Sequence, residues 1–367
     1  MNIFDPIPLC RTLSVMPTFQ CTAACKHCGT LSNPQNKTRL SLEEIYSVID
    51  QAHDNGYKLV VFTGGEATLV GKDLLCAIRK ASSLGFFVRL VTNAHWAISD
   101  RKAQFYMNEL VESGLTEINF STGDQHTRFV PLENVIRATY AAVKKKLNVA
   151  IMVEHVKERV VTKETVEDHT EFKRIFQEFP TAKINVHESP WMPLSPHEIS
   201  TYSEGIMANR SNLASYPGCD SVLSTTTIQA DGKIGACCGL GMRLIPELHL
   251  GTIYETKLAD ADEKAANDFL KRWIHIEGPE HILAWASKYD SDIKWEDMYA
   301  HKCQACIRLY KDPKVRKVIG EHHKEKIADV LFGQWLVSNY SLDAQNSKNL
   351  GTQKTDQSLT KISKQLE

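Results

Sequence analysis

Three cysteines lie within eight positions near the start of the chain, in the stretch QCTAACKHCGT over residues 20–30: Cys21, Cys25 and Cys28. A structural zinc site and a ferredoxin-type iron–sulfur cluster each take four protein ligands. Three thiolates on one short loop can instead hold three irons of a [4Fe–4S] cube and leave the fourth iron without a protein ligand. Such an open position is what a catalytic metal centre needs. A zinc site completed by a distant residue, such as His27, is the alternative.

The remaining cysteines are also unevenly spaced. The chain has ten, of which three lie at 219, 237 and 238, two form a C-x-x-C at 303 and 306, and Cys10 and Cys76 stand alone. Disulfides are rare in the cytosol, so the thiols of a cytosolic protein more often bind metal or do chemistry. Cys76 lies on an apolar helix face, which is typical of core packing.

The composition is that of an ordinary globular protein. The 367 residues are 43% hydrophobic and 24% charged, and the net charge is −1. A near-neutral chain is not expected to bind nucleic acid through bulk charge. The N-terminus lacks the pattern of a signal peptide, and no apolar run approaches the ~18 residues of a membrane span. We therefore expect a cytoplasmic protein with neither a nucleic-acid nor a membrane partner.

Residues 13–190 alternate between predicted strands and predicted helices. The strands are expected at 13–19, 58–64, 87–93, 116–122, 148–154 and 183–189, and the helices at about 41–54, 73–84, 98–113, 131–146 and 163–178. A succession of six β-α units predicts a parallel sheet, open or curled into a partial barrel. Such sheets place ligand sites at the carboxyl ends of their strands, where the first cysteine loop falls.

The pattern changes after residue 190, where ESPWMPLSPHE holds three prolines. We predict a first domain over residues 1–204 and a smaller, metal-bearing domain over 205–317. The second is expected to have few helices and a hairpin at Asp231-Gly232, a strong turn pair. A C-terminal helix is predicted over 318–338. Residues 339–367 are polar, which predicts a mobile tail.

The C-x3-C-x2-C loop after strand one, taken with the β-α succession, resembles the radical S-adenosylmethionine (SAM) superfamily. The resemblance implies an α/β fold with a partial (β/α)6 barrel, a [4Fe–4S] cluster on the three loop cysteines, and SAM bound at the open iron. In that family one electron cleaves SAM to methionine and a 5′-deoxyadenosyl radical, which abstracts hydrogen from the substrate. The cofactors carry the chemistry and the protein positions them. An electron donor such as flavodoxin or ferredoxin is implied as a partner.

Polar residues at other strand ends extend the resemblance. Strand two ends in FTGGEATL, whose Gly64, Gly65 and Glu66 are similar to the family's GGE motif, which hydrogen-bonds the SAM amino group. Glycines let the backbone approach a ligand, and a carboxylate accepts from an ammonium. The resemblance implies further SAM or substrate contacts from strands three to six: Thr92, Asn93, Ser121, Asp124, Glu154, His187 and Glu188. For the two strand-four residues, a turn-forming S-x-x-D is the alternative.

The later cysteines resemble the SPASM/twitch extension of many radical SAM enzymes. Cys219 is followed by twelve residues, Gly232, four residues and Cys237, and much later by Cys303-x2-Cys306. No cysteine follows Cys306, which departs from the full SPASM pattern and favours the shorter twitch form with one auxiliary [4Fe–4S] cluster. The implied ligands are Cys219, Cys237, Cys303 and Cys306, and Cys238 could replace its neighbour. Four thiolates leave no open position, which suits electron transfer. A structural zinc site is the alternative.

The resemblance implies an enzyme that abstracts hydrogen, with the auxiliary cluster accepting the surplus electron from the substrate radical. We favour a side chain of a ribosomally synthesised peptide as the target. A small molecule such as a sugar or an aminocyclitol, oxidised at an alcohol carbon, is the alternative. Only twenty residues precede Cys21, which leaves no room there for a fused peptide-binding domain, although a separate protein could supply peptide recognition. A non-enzymatic metal-binding or electron-carrier protein is a more remote reading, because it leaves the GGE turn unexplained.

Overall fold

The computed structural model of the protein describes residues 11–337. The predicted tail over 339–367, the last residue of the predicted 318–338 helix and Cys10 lie outside the described residues. In the described part, no helix combines the length and the apolar character needed to cross a bilayer.

One sheet of nine strands organises the described chain. Its spatial order is β6-β5-β4-β3-β2-β1-β7-β8-β9, and strands β1 to β7 are parallel, whereas β8 and β9 are antiparallel to their neighbours. The strands are β1 (Thr12–Val15), β2 (Leu59–Phe62), β3 (Phe87–Thr92), β4 (Glu117–Thr122), β5 (Asn148–His155), β6 (Ile184–Pro190), β7 (Thr225–Ile228), β8 (Lys233–Gly235) and β9 (His249–Thr252). The predicted run of six parallel β-α units is confirmed.

Helices connect the first six strands, as the apolar periodicity predicts. They are α1 (Leu42–Asp54), α2 (Lys72–Ser83), α3 (Asp100–Glu112), α4 (Leu132–Lys144), α5 (Lys163–Glu167) and α6 (Thr170–Glu178). The capping box predicted at Ser41 is present, because Ser41 Oγ accepts from Glu44 N at 3.2 Å and Glu44 Oε2 accepts from Ser41 N at 2.7 Å. The single helix predicted over 163–178 is wrong. The first helical segment ends at Glu167 with Asp168 as its C-cap, and His169 caps the second, since its Nδ1 accepts from Glu171 N at 3.2 Å.

The C-terminal half contains more helix than its sequence suggests. Five helices lie between β9 and residue 323: α7 (Leu258–Ala266), α8 (Phe269–Ile276), α9 (Pro279–Ala286), α10 (Lys302–Lys311) and α11 (Pro313–His322). All five are ten residues or shorter, so each offers too few turns for a clear helical period. The helix predicted over 318–338 is interrupted by a 3₁₀ turn at His323–Lys326, after which residues 327–337 are helical.

Strand β7 joins the C-terminal half to the edge of the first six strands. It pairs with β1 in parallel register, Thr12 opposite Thr225 and Val15 opposite Ile228. The predicted hairpin at Asp231-Gly232 then leads into β8. Buried apolar side chains from both halves, such as Ile45, Ile228 and Leu258, belong to one hydrophobic core. This pairing brings the residues after β7 to the same sheet edge as the first cysteine loop.

Candidate functional site

The first three cysteines lie on the loop that follows β1, at the carboxyl edge of the parallel strands. Their thiols are half-buried, and each interacts electrostatically with the other two. Burial is the main cause that raises the pKa of Cys21 to about 11 and that of Cys25 to about 12. Glu66 and Glu154 nearby add to these shifts through their negative charge. In the absence of metal the thiols of Cys21 and Cys25 are therefore protonated at neutral pH, and metal binding must displace their protons.

The GGE turn after β2 is hydrogen-bonded to the residues that lead into the cysteine loop. Gly65 N donates to Thr18 O at 3.0 Å, and Glu66 N donates to Gln20 O at 2.8 Å. A Cβ on Gly65 would lie 2.2 Å from the Gln20 carbonyl oxygen, and Gly64 has a φ of +115°. A residue with a side chain would clash or be strained at these two positions. The fold therefore requires both glycines, in addition to the predicted approach of the backbone to a ligand.

The Glu66 carboxylate is buried and accepts hydrogen bonds from the protein. Its Oε1 accepts from Thr68 Oγ1 at 2.6 Å and from Thr92 Oγ1 at 2.8 Å. Its Oε2 accepts from Asn93 N at 2.9 Å, and the side chain is 1% exposed. Glu66 thus fastens the end of β3 to the GGE turn. Its predicted contact with the SAM amino group stays a prediction, and in this arrangement the backbone of the turn is better exposed to a ligand than the carboxylate.

Asn93 links the end of β3 to the first cysteine. Its Nδ2 donates to Thr22 Oγ1 at 3.0 Å and to Cys21 Sγ at 3.7 Å, while its side chain is 5% exposed. On the other side of the loop, Thr30 Oγ1 lies 3.3 Å from Cys28 Sγ. Hydrogen bonds to sulfur stabilise the thiolate and shift the reduction potential of an iron–sulfur cluster. Both groups can therefore act on a cluster held by this loop.

The loop after β4 contains one further predicted contact, Asp124, and it packs on another, Glu154. Asp124 accepts from the backbone amides of Val160 and Val161, at 3.0 Å and 2.8 Å, so it ties this loop to the one after β5. Glu154 at the end of β5 accepts from Gln125 N at 2.6 Å, from His126 N at 3.1 Å and from His126 Nδ1. Both carboxylates accept hydrogen bonds from neighbouring loops. Each can therefore hold two loops together, in addition to its predicted contact with a ligand.

Ser121 lies on the more accessible face of β4, opposite Met152 of β5, which is 39% exposed. In the next strand His187 pairs with Met152 and therefore lies on the same face, and its side chain is exposed. Glu188 is committed to a network in which it binds His155 Nδ1 at 2.9 Å and Arg159 Nη2 at 2.8 Å. The open face of the sheet is thus lined by polar and thioether groups that a substrate could contact.

The second cysteine set comes together from three distant segments. Cys219, Cys237, Cys303 and Cys306 line one cavity whose other walls are mostly apolar, among them Val222, Leu240, Met242, Ile245, Leu248 and Ile274. Burial raises the pKa of Cys237 to about 12 and also raises the pKa of the other three thiols. A Cβ on Gly239 would lie 3.2 Å from Cys303 Sγ and 3.4 Å from Cys237 Sγ. The glycine leaves the space between these sulfurs free.

Cys238 lies outside that cavity. Its side chain is exposed and its Sγ is 3.2 Å from Ser221 Oγ, whereas the Cys237 thiol faces the other three cysteines. The geometry therefore favours Cys237 as the ligand.

The donor set at both sites consists of thiols, which suits iron–sulfur clusters, and the zinc alternative takes thiolates as well. Among residues 11–337, no three His, Cys, Asp or Glu side chains converge closely enough to share one metal ion. In a cubic cluster each thiolate binds a different iron, so the ligands surround a larger volume than those of one zinc ion. His27, the alternative fourth ligand at the first loop, has its Nε2 3.3 Å from Glu198 Oε1.

Several neighbours of the first loop were not predicted. His126 packs edge-on against Trp191, with 5.7 Å between ring centroids, and Trp191 Nε1 donates to Lys26 O at 2.8 Å. Arg243, from the C-terminal half, donates to Thr30 O at 2.6 Å. Trp191 directly follows β6, and a residue at the carboxyl end of a parallel strand is expected near the ligand site, so the sequence could have indicated it. The contact of Arg243 depends on the pairing of β7 with β1, which no local pattern indicates.

Comparison with known proteins gives a family for the N-terminal part of the chain. Residues 15–172 match the model of the Radical SAM superfamily. This segment runs from the end of β1 to the start of α6, and it contains the three-cysteine loop and the GGE turn.

Individual relatives match over shorter stretches. YydG of Bacillus subtilis (strain 168), named as a peptide biosynthesis protein, is 26% identical over 147 residues, which are 38% of this chain and 46% of the relative. The PqqA peptide cyclase of Bradyrhizobium diazoefficiens is 31% identical over 31% of this chain and 28% of its own length. A protein of Methanopyrus kandleri named as a GTP 3′,8-cyclase is 32% identical over 40% of this chain and 50% of its own. The chain thus spans half or less of these relatives.

Proposed function

Because the chain belongs to the radical SAM superfamily through residues 15–172, we propose that it modifies a side chain of a ribosomally synthesised peptide by hydrogen abstraction. The three-cysteine loop holds the SAM-binding [4Fe–4S] cluster in this proposal. The second set holds an auxiliary [4Fe–4S] cluster that accepts the surplus electron of the substrate radical. The observation that carries the proposal is the contrast between three thiols on one loop at the sheet edge and four thiols around a mostly apolar cavity.

When bound, SAM and its cluster supply a 5′-deoxyadenosyl radical that abstracts hydrogen from the substrate. The protein residues hold the reactants. Asn93 and Thr30 place polar groups beside two of the thiols, and Glu66 fixes the end of β3 against the GGE turn. The loops after β4 and β5, joined through Asp124 and Glu154, form the far side of the mouth. Substrate and SAM then meet at the edge of the sheet where ligands of parallel α/β folds bind.

An oxidative outcome agrees with the second set. Loss of a hydrogen atom, then of one electron and one proton, removes two hydrogens in total from the substrate. Four thiolates saturate a [4Fe–4S] cluster, so the second centre has no position for substrate and is suited to taking up the electron. SAM is consumed as a co-substrate, and an external donor such as flavodoxin or ferredoxin supplies the electron that starts each turnover.

The peptide substrate is supported by two of the relatives, YydG and the PqqA peptide cyclase, whose names refer to peptides. The protein named as a GTP 3′,8-cyclase matches over a similar length, and it supports the second candidate, a small-molecule substrate. We favour the peptide and expect a separate protein to present it. We also place the enzyme in the cytoplasm, where the nine cysteines of residues 11–337, all unpaired, would stay reduced.

The metal centres can be tested by measuring iron and sulfide per chain after anaerobic reconstitution. We expect about eight irons in the wild type and about four in a Cys21/Cys25/Cys28→Ala variant, because each cubic cluster holds four. 5′-Deoxyadenosine should form from SAM and dithionite in the wild type and not in the variant. About four irons in the wild type and none in the variant would remove the auxiliary cluster and the electron-acceptor role.

The substrate class needs a separate measurement. The enzyme is incubated with SAM, reductant and a short peptide encoded beside its gene, and the peptide is analysed by mass spectrometry. Loss of two hydrogens from the peptide, in step with 5′-deoxyadenosine, is the expected result. Oxidation of an aminocyclitol in the parallel reaction, with an unchanged peptide, would favour the small-molecule reading.

A further inference from the structure

One short segment, residues 237–243, contacts both cysteine sets; we call it the bridge segment. At its start, Cys237 faces the cavity of the second set, and Gly239 N lies 3.4 Å from the Cys237 sulfur. At its end, Met242–Leu244 form a 3₁₀ turn that faces the first loop. Five residues therefore lie between Cys237, a proposed ligand of one centre, and Arg243, whose side chain reaches the loop of the other.

The bridge segment meets the first loop through glycine backbone. Gly241 N donates to Gly29 O at 2.7 Å, and Gly241 has a φ of +74°. A Cβ on Gly29 would lie 2.5 Å from Leu240 Cδ2. The hydrogen bond from Gly241 to Gly29 joins the two backbones directly, and the Leu240 side chain fills the space beside Gly29.

Arg243 completes the contact. Its Nη1 donates to Thr30 O at 2.6 Å and its guanidinium lies 3.5 Å above the ring centroid of Phe19, which is 2% exposed. A planar guanidinium can stack on a ring and donate at its edge in one conformation, which lysine cannot do. The carbonyl that Arg243 binds belongs to the residue whose hydroxyl is 3.3 Å from Cys28 Sγ.

The positive charge of Arg243 lies beside the first loop. Within residues 11–337 no carboxylate lies at salt-bridge distance from it. Burial lowers the pKa of the guanidinium, and the negative charges of Asp231 and of the Cys28 thiolate oppose that shift. The side chain remains protonated at any working pH. A fixed positive charge near the ligands of a cluster favours the form that carries one more electron.

We propose that Arg243 is a positioning residue for the first metal centre: it holds Gly29 to Leu31 against the bridge segment and raises the reduction potential of the cluster on Cys21, Cys25 and Cys28. The inference rests on the proposed function, because it concerns the cluster expected on this loop. It adds a residue from the C-terminal half to a centre whose ligands all lie in the N-terminal half.

The test compares Arg243→Met, which removes charge and donors, with Arg243→Lys, which keeps the charge. Arg316→Met is the matched control, since Arg316 lies on α11, is exposed and pairs with Glu247. The midpoint potential of the SAM-responsive cluster is measured by redox titration followed by electron paramagnetic resonance. We expect equal iron content in all proteins, a more negative potential in Arg243→Met, a smaller shift in Arg243→Lys and none in the control.

A second readout needs no cluster. In the iron-free full-length protein, the alkylation rate of Cys28 is measured by peptide mapping, with Cys76 as the internal reference. Both Arg243 variants should react several-fold faster at Cys28, because the loop has lost its support. The proposal requires both effects, so an unchanged potential in Arg243→Met, or an unchanged Cys28 rate in both variants, would overturn it. A wild type without a cluster on this loop would instead reject the proposed function.

Discussion

The two cysteine sets are built in opposite ways. The first lies on a single loop after β1, half-exposed, with amide and hydroxyl groups of Asn93 and Thr30 beside its sulfurs. The second is collected from positions 219, 237, 303 and 306, and apolar side chains surround it. One set is local in sequence and has polar neighbours, whereas the other is distant in sequence and lines a mostly apolar cavity in which Cys237 is buried.

This difference separates two tasks that metal centres perform. A centre that binds a cofactor must leave a position open, and polar neighbours must orient what binds there. A centre that passes electrons needs all its positions filled and a surrounding that excludes water. The same chemical ligand, a cysteine thiolate, serves both tasks, and the number of ligands and their surroundings decide which one.

The largest expected effect comes from removing one thiol of the second set. Cys306→Ala should lose the auxiliary cluster, so iron falls from about eight to about four per chain. 5′-Deoxyadenosine formation from SAM and dithionite should continue, because the first loop is intact. Iron analysis and product quantification on the same preparation check both statements. Loss of all iron would show that the two sets do not load independently.

Cys238→Ala is the matched variant for the same comparison. Cys238 is adjacent to Cys237 in sequence but exposed and directed at Ser221, so its removal should leave about eight irons per chain, as two cubic clusters require. A drop to about four would make Cys238, and not its neighbour, the ligand of the second centre.

A smaller effect is expected at the first centre from Asn93→Ala. Asn93 donates to Cys21 Sγ and to Thr22, and a hydrogen bond to a charged group is worth about 1.5 kcal/mol at the low end. If that stabilisation acts on the reduced cluster, the rate of 5′-deoxyadenosine formation should fall about tenfold. Asn93→Asp removes the donor, keeps the size and adds a negative charge, so it should be slower still. An Ala variant as fast as wild type would leave Asn93 with a packing role alone.

The open centre was easier to predict from the sequence than the closed one. Cys21, Cys25 and Cys28 fall within one loop, and the strand before them has a clear apolar pattern, so both the residues and their place at the sheet edge follow from local signals. The six parallel strands follow likewise, because each β-α unit repeats the same pattern.

Long-range contacts were beyond local signals. That β7 pairs with β1 could not be read from the strand itself, because a four-residue TTTI fits any sheet position. The contact of Arg243 with the cysteine loop depends on that pairing. The contact of Trp191 with the same loop depends on the path of the chain after β6. Glu66 illustrates the same limit. The sequence showed a carboxylate in the GGE motif, but it did not show that Thr68, Thr92 and Asn93 donate hydrogen bonds to that carboxylate.

The smallest expected effect concerns Glu280 in α9, on the closed side of the comparison. Neither of its carboxylate oxygens has a hydrogen-bond partner within residues 11–337, and the side chain is fully buried. Burial raises its pKa from the ordinary 4.5 to about 7, and its charge in turn acts on Cys306. The surroundings of the second set are thus apolar enough to keep a carboxyl group neutral near pH 6.

The pH dependence of stability follows from that shift. Below pH 4.5 the carboxyl is protonated in both the folded and the unfolded chain and contributes nothing. Between 4.5 and about 7 the unfolded chain releases the proton while the folded chain keeps it, so the free energy of unfolding decreases as pH rises. Glu280→Gln cannot ionise. Its stability advantage over wild type should therefore grow by about 1 kcal/mol from pH 6 to pH 8.

Urea unfolding of the iron-free protein at the two pH values measures this difference, and the exposed Glu247→Gln serves as the control because its carboxyl is on the surface. A gap between Glu280→Gln and wild type that stays constant with pH would mean that Glu280 ionises freely. Water would then reach the neighbourhood of Cys306, and the contrast between an open first centre and a closed second centre would lose its physical basis.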